Sequence, residues 1–256
     1  MRSSINRALV GAFALILFSC IAYQVVRISL PFAPEVIAAR RDLFLMGAKA
    51  TLLLTLSATI LGFFVGILVA WMKEVKWLGT QYLAQAFTIF TQGTPLLVQI
   101  FIIFFALPEV LASFGLNISI DEWKAAALAL GLNVGAYHAE AFRGALLSID
   151  DGQSKVARSL GLSRFQTFIF VLLPQASDRA TLPFLSNTAA LLKDSALASS
   201  IGVLELSLAG TRLTSETFKP VPALATVALI YLVFTGVIFL WRPVQKLLLE
   251  AQDGVH

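Results

Sequence analysis

The residues able to do chemistry are few, and the familiar catalytic arrangements are missing. No G-x-x-x-x-G-K-[ST] run occurs, so the chain carries no phosphate-cradling loop of its own. Two His and one Cys offer no spacing for a protein-built metal site, and a single Cys forms no internal disulfide. Ser, His and Asp are not grouped as a nucleophilic triad. The acidic pair Asp150-Asp151 reads as the start of a helix. No catalytic residue is expected. What stands out is a set of polar residues inside apolar stretches, which are functional suspects by default in a membrane chain. Glu140 and Arg143 lie three apart on one helix. They either satisfy each other near the helix end or face a polar solute. Lys193-Asp194 sits in an interrupted apolar segment, where irregular backbone should line a cavity. That pair either flanks a zwitterionic solute or snorkels to the interface. Gln99 and Asn133 offer neutral donors and acceptors, toward a solute or between helices.

The elements that must hold these residues follow from composition. Apolar residues make up 58% of the 256-residue chain and charged residues 13%, against about 45–50% and 25% in soluble domains. Twenty residues are Phe. A soluble fold of this length cannot hide that much apolar surface, and disordered and disulfide-rich secreted classes are excluded with it. The class is an all-α integral membrane protein. The net charge of +4 reads as Lys and Arg gathered on the cytoplasmic face, not as a nucleic-acid footprint.

A bilayer core takes about 20 apolar residues per helix. Residues 8–26 form a first uncharged run, longer than a secretory signal core of about 7–15 residues. Residues 50–72 form a second, with Gly62 and Gly66 spaced for close helix approach. Residues 77–107 read as a polar helix to Gln92, a break at Gly93-Thr94-Pro95, and a span to Leu107. Residues 124–147 form a fourth and more polar span, with Gly131 and Gly135 repeating the close-packing spacing. Residues 183–199 form a weak fifth and 220–241 a sixth. Arg2, Arg7, Lys73, Lys76, Arg143, Lys155, Arg158, Arg164, Arg242 and Lys246 then share one side, which puts both termini in the cytoplasm. Arg40 and Arg41 are the exceptions.

Residues 148–176 do not read as a span. Asp150 and Asp151 suit a helix N-terminus, with Lys155 and Arg158 toward the other end of the dipole. Val156 and Leu160 share a face. The helix is expected from Asp151 to Leu160, stopped by Gly161 as a left-handed cap. Ser163-Arg164-Phe165-Gln166 fits a capping box for a second helix, which Pro174 should end.

Gly152-Gln153-Ser154-Lys155-Val156-Ala157-Arg158-Ser159-Leu160-Gly161, with Leu172-Leu173-Pro174-Gln175-Ala176 after it, resembles the EAA loop of ATP-binding-cassette (ABC) importer permeases. Three further blocks are similar to the polar amino-acid subfamily, the histidine and glutamine permeases. They are Gly93-Thr94-Pro95-Leu96-Leu97-Val98-Gln99, Gly135-Ala136-Tyr137-His138-Ala139-Glu140 with Arg143-Gly144, and Leu192-Lys193-Asp194-Ser195-Ala196-Leu197. The resemblance implies a type I ABC importer transmembrane domain over 46–245, a five-helix core preceded by an added helix in 1–45 and followed by a cytoplasmic tail at 246–256. It implies a bacterial inner-membrane location and no cofactor in this chain, with ATP and Mg on a partner ATPase dimer. It implies a second permease subunit, a copy or a paralogue, and a periplasmic or tethered binding protein. The lipid bilayer is a partner and nucleic acid is not. ATPase coupling would fall to Gly152, Gln153, Lys155, Val156, Ala157, Leu160 and Gly161. The substrate path would take Gln99, Asn133, Glu140, Lys193 and Asp194.

Two positions depart from the family pattern. Lys155-Val156-Ala157 stands where Glu-Ala-Ala is usual, and Gln92 where Arg is usual. The expected function is the permease subunit of an ATP-driven importer for polar amino acids. The alternative is an autonomous channel or secondary carrier, in which the loop is only a connection.

Overall fold

The computed structural model describes residues 34–74 and 77–253, so the expected first span at 8–26 lies outside the described residues. The described chain is all helix: α1 (Pro34–Ala39), α2 (Arg41–Glu74), α3 (Leu78–Gly93), α4 (Leu96–Phe101), α5 (Leu107–Ser113), α6 (Glu122–Leu147), α7 (Asp151–Ser159), α8 (Arg164–Thr167), α9 (Leu173–Asp194), α10 (Leu206–Thr217) and α11 (Pro220–Asp253). Two π-helical turns, Ile102–Ala106 and Phe168–Leu172, join α4 to α5 and α8 to α9, and a 3-10 stretch covers Ser195–Ile201.

Three helical stretches among the described residues are long and apolar enough to cross a bilayer: Arg41–Lys73, Leu96–Ser113 and Pro220–Leu240. The fold is therefore multi-pass. The expected fourth and fifth spans are long helices that lack that apolarity. The reason for α6 is its position. Ala125, Ala126, Ala129, Ala136 and Ala139 are fully buried against other helices, so close packing matters there more than a lipid-facing surface. The fifth segment also has different bounds. Pro183 lies inside α9, which begins at Leu173.

Pro174 does not end the loop's second helix; it lies inside a continuous helical stretch, at the second residue of α9 and directly after the Phe168–Leu172 π turn. A proline ring collides with the carbonyl four residues earlier, here Phe170. That residue lies within the Phe168–Leu172 π turn, whose wider hydrogen bonding lets the carbonyl step aside. Pro108 and Phe104 repeat the arrangement in the other π turn.

The chain packs as two units, divided after Leu52 and after Ile201. In the larger, residues 53–201, α6 is the central helix, and its two close-packing glycines meet those of α2. A Cβ on Gly62 would lie 2.3 Å from Val134 Cγ1 and 3.0 Å from the Gly131 carbonyl oxygen. One on Gly135 would lie 2.7 Å from Val65 Cγ1 and 3.2 Å from the Gly62 carbonyl oxygen. Asp121 caps α6 by accepting from the Lys124 backbone N–H at 2.8 Å. The Lys124 side chain, bonded to the same carboxylate, holds it below the usual carboxylate range.

The described part of the second unit is residues 34–52 and 202–253. Its core joins Phe44, Leu206, Ala209, Leu213, Ala223 and Val227. Glu205, fully buried, accepts from the N–H groups of Ser207 (2.8 Å) and Leu208 (2.7 Å) and from the Tyr231 hydroxyl (2.8 Å). It is the N-cap of α10 and ties that helix to α11. Arg40, an exception to the charge pattern, pairs with Glu216 at 2.7 Å. Glu205→Ala would take the acceptor from the Ser207 and Leu208 N–H groups in a partly buried place, at about 1–3 kcal/mol each, and would remove the tie to Tyr231. The detergent-solubilised Ala variant should aggregate well below the temperature of the wild type. Glu205→Gln, which keeps an acceptor oxygen, should fall between them; equal thermal profiles for all three would remove the carboxylate from this role.

Candidate functional site

The loop after α6 is built by local rules. Asp150 accepts from the Gly152 N–H at 2.6 Å and starts α7. A Cβ at 152 would meet Asp150 Oδ1 at 2.7 Å, so a larger residue there would push the capping carboxylate aside. Gly161 has φ +88°, a conformation that only glycine adopts without strain. Its N–H donates to the Arg158 carbonyl, and the Leu162 N–H to the Ala157 carbonyl, at 3.0 and 3.2 Å. This is the Schellman pair of hydrogen bonds that closes a helix C-terminus. Ser163 and Gln166 then form the expected box, with Ser163 N–H donating to Gln166 Oε1 at 2.9 Å and Gln166 N–H to Ser163 Oγ at 3.2 Å.

Val156 and Leu160 project outward at 61% and 79% exposure, with Phe165 beside them in sequence order at 74%. Gln153 and Lys155 are also exposed, and Gly152 is half-buried. Ala157 differs. It is buried on the side where α7 rests on α8 and the π turn. Its small size serves the loop's own packing, not the outer face where the ATPase was expected to approach.

The second feature is a cavity of about 330 Å³ within the larger unit. Thr94, Asn133, Tyr137, Asn187 and Asp194 contribute its polar lining, with Leu96, Val134 and Leu191 among its apolar walls. The break between α3 and α4 opens onto it. Thr94 is extended there, and Pro95 is the N-cap of α4 and not its first helical residue. Gln99 secures the break. Its Nε2 donates to the Thr91 carbonyl at 2.7 Å, the Thr94 carbonyl at 3.1 Å and Thr94 Oγ1 at 2.9 Å. Asn133 Nδ2 donates to Gln99 Oε1 at 3.1 Å. Backbone groups freed at the break are thus satisfied internally, as lipid surroundings require.

Of the five path residues expected from sequence, the cavity gathers Asn133 and Asp194. Gln99 supports it from behind. Lys193 is exposed and outside the lining, because consecutive residues on a helix point about 100° apart. Glu140 is also outside; its carboxylate pairs with Lys73 of α2, a partner 67 positions away. Thr94 and Tyr137 were visible only as members of motif blocks. Asn187 carried no local signal, since a lone amide on a helix has no spacing partner.

The chain belongs to the family of binding-protein-dependent transport system inner membrane components, which it matches over residues 62–246. It is therefore a membrane component of a transport system and not its ATPase. It is 33% identical over 205 residues to the glutamine transport system permease protein GlnP of Escherichia coli (strain K12), covering 80% of this chain and 92% of that protein. It is 35% identical over 216 residues to the octopine transport system permease protein OccM of Rhizobium radiobacter, covering 82% and 86%. The crystal structure of an amino acid ABC transporter with histidines has a chain that superposes with a TM-score of 0.74 at 30% identity, covering 82% of this chain and 95% of that one.

Proposed function

We propose that the cavity is a station on the path of a polar amino acid and that the outer face of α7 couples this path to a separate ATPase. The observation that carries the reading is Asp194 together with four neutral polar groups around one cavity, in helices that otherwise pack apolar surface. Polar groups buried in such surroundings are costly without a partner. A carboxylate among amides and hydroxyls suits an α-ammonium group and leaves neutral acceptors and donors for the rest of the solute. Relatives named for glutamine and octopine transport support the substrate class.

In this reading six spans place both termini inside, an added first helix in 1–45 and a five-helix permease core over 46–245. Two permease subunits stand over an ATPase dimer that holds ATP and Mg, and a binding protein delivers the substrate from outside. Val156 and Leu160 enter a groove on the ATPase in the helix-in-groove mode. Lys155 stands at the edge of that contact, where a basic residue favours an acidic partner surface.

Asp194→Asn tests the cavity. Uptake of a radiolabelled amino-acid mixture by the reconstituted importer should fall about tenfold, as loss of a charge-assisted hydrogen bond requires, with the ATPase still co-purifying. Lys193→Gln should transport normally. Full uptake by Asp194→Asn would remove the carboxylate from the path. Failure of any ATPase to co-purify with the wild-type chain would favour the autonomous carrier.

A further inference from the structure

Arg179 lies one and a half turns into α9, and its guanidinium reaches out of that helix. Nη1 donates to the carbonyl of Ser148 and, at 2.9 Å, to the Ser148 hydroxyl. Ser148 is the C-cap of α6 and stands two residues before Asp150, the N-cap of α7. One cation therefore holds the junction of α6 and α7. The position is favourable, since the last carbonyls of a helix lack intrahelical donors and the helix dipole attracts positive charge there.

Beneath this clamp the two helices touch through small residues. Ala145 and Ile149 are buried against Ala176 and Ala180, with Leu146 and Leu172 beside them. The foot of α9 and the junction are thus one packed block. Above the clamp α9 weakens. Pro183 has no N–H to give the carbonyl four residues earlier, which is that of Arg179 itself. Beyond Pro183 the same helix carries Asn187, Leu191 and Asp194 into the cavity lining, about 12 to 22 Å from Arg179 at 1.5 Å per residue.

We propose that Arg179 is a positioning residue for transport: it locks the α6–α7 junction to the foot of α9, so that displacement of α7 is passed through α9 to the cavity. The lower turns of α9 follow α7 because the clamp and the alanine contact hold them. The upper turns tilt at Pro183 and reposition Asn187 and Asp194. This inference rests on the proposed coupling role of α7 and adds the residue that carries the coupling into the membrane domain.

The test uses the reconstituted importer with its ATPase and binding protein, and reads uptake of a radiolabelled amino-acid mixture per ATP hydrolysed. Arg179→Ala should lower that ratio a few-fold, because the bonds to Ser148 are charge-assisted but solvent-exposed. Basal ATP hydrolysis and co-purification of the ATPase should not change. Arg179→Lys, which keeps a cation near the Ser148 carbonyl, should recover most of the ratio, and Arg179→Gln should lie between Lys and Ala. If Arg179→Ala does not accumulate, the order Arg, Lys, Gln still decides. A ratio that stays flat across the series overturns the inference. A flat Arg179 series with an uncoupled Ala157→Asp overturns this inference alone. A fully coupled Ala157→Asp overturns the loop reading beneath it.

Discussion

Gly62→Leu and Gly135→Leu are each expected to leave almost no folded protein in the membrane. At both positions the glycine is a close approach between α2 and α6, and the obstacle is partly backbone. A Cβ at 62 meets Val134 Cγ1 at 2.3 Å, closer than any real contact, and the Gly131 carbonyl oxygen at 3.0 Å. Val134 is β-branched and buried, so it has little room to turn away. The helices must then separate, and the contacts along the whole crossing are lost with them. Overpacking alone costs about 1–3 kcal/mol, a large share of a total stability of about 5–15 kcal/mol. Gly131 provides the internal contrast. The three atoms nearest an added Cβ there all belong to the Leu61 side chain; another rotamer moves Cδ2 (2.6 Å) and Cγ (2.9 Å), leaving Cβ at 3.0 Å as the fixed contact. Gly131→Ala should therefore accumulate better than Gly62→Ala. The measurement is monodisperse protein recovered after mild detergent extraction. Normal recovery of both Leu variants would mean that the α2–α6 crossing is not needed for folding.

Ala157→Asp and Gly161→Pro are expected to remove substrate-stimulated ATP hydrolysis almost completely while leaving binding-protein docking intact. The two act on different parts of the loop. Ala157 is 4% exposed, so an aspartate there puts an unpaired carboxylate against α8 and the π turn, at several kcal/mol. Proline at 161 cannot take φ +88°, because its ring fixes φ near −65°. It also removes the N–H that bonds the Arg158 carbonyl. Either change should turn α7 out of the orientation that presents Val156 and Leu160. Lys155→Glu is expected to be far milder. Lys155 is exposed, and an exposed ion pair is worth about 0–1 kcal/mol, so coupled hydrolysis should change by no more than a few-fold. Full coupled hydrolysis in Ala157→Asp would make the loop a connection and bring the carrier reading forward.

The loop was the most legible part of the chain. Asp150, Gly161 and the Ser163–Gln166 box each act over one to three neighbouring residues, and residue type alone selects that geometry. The break at Gly93-Thr94-Pro95 was legible for the same reason. Helix bounds near proline were less so. Pro174 and Pro183 both lie within α9, since a proline stops a helix only where no π turn or neighbouring helix accommodates the displaced carbonyl. Long-range charge partners were not legible from helical spacing. Glu140 and Arg143 have the spacing of an intrahelical pair, and the Glu140 carboxylate also meets Lys73 of α2.

Sequence by itself determined the class of protein, its multi-pass helical character and the local shape of the loop after α6. Each depends on composition or on contacts a few residues long. The tertiary structure decided which polar groups meet. Asp194 enters the cavity and adjacent Lys193 does not; Glu205 ties α10 to α11 through Tyr231, 26 positions away; Arg179 reaches Ser148 across 31. Helical spacing tells which residues share a face, but the rotation of that face is set by what packs against it. Here that setting comes from the two glycine pairs of α2 and α6 and from the alanines between α6 and α9, which allow the backbones to approach and so fix which side chains can reach one another.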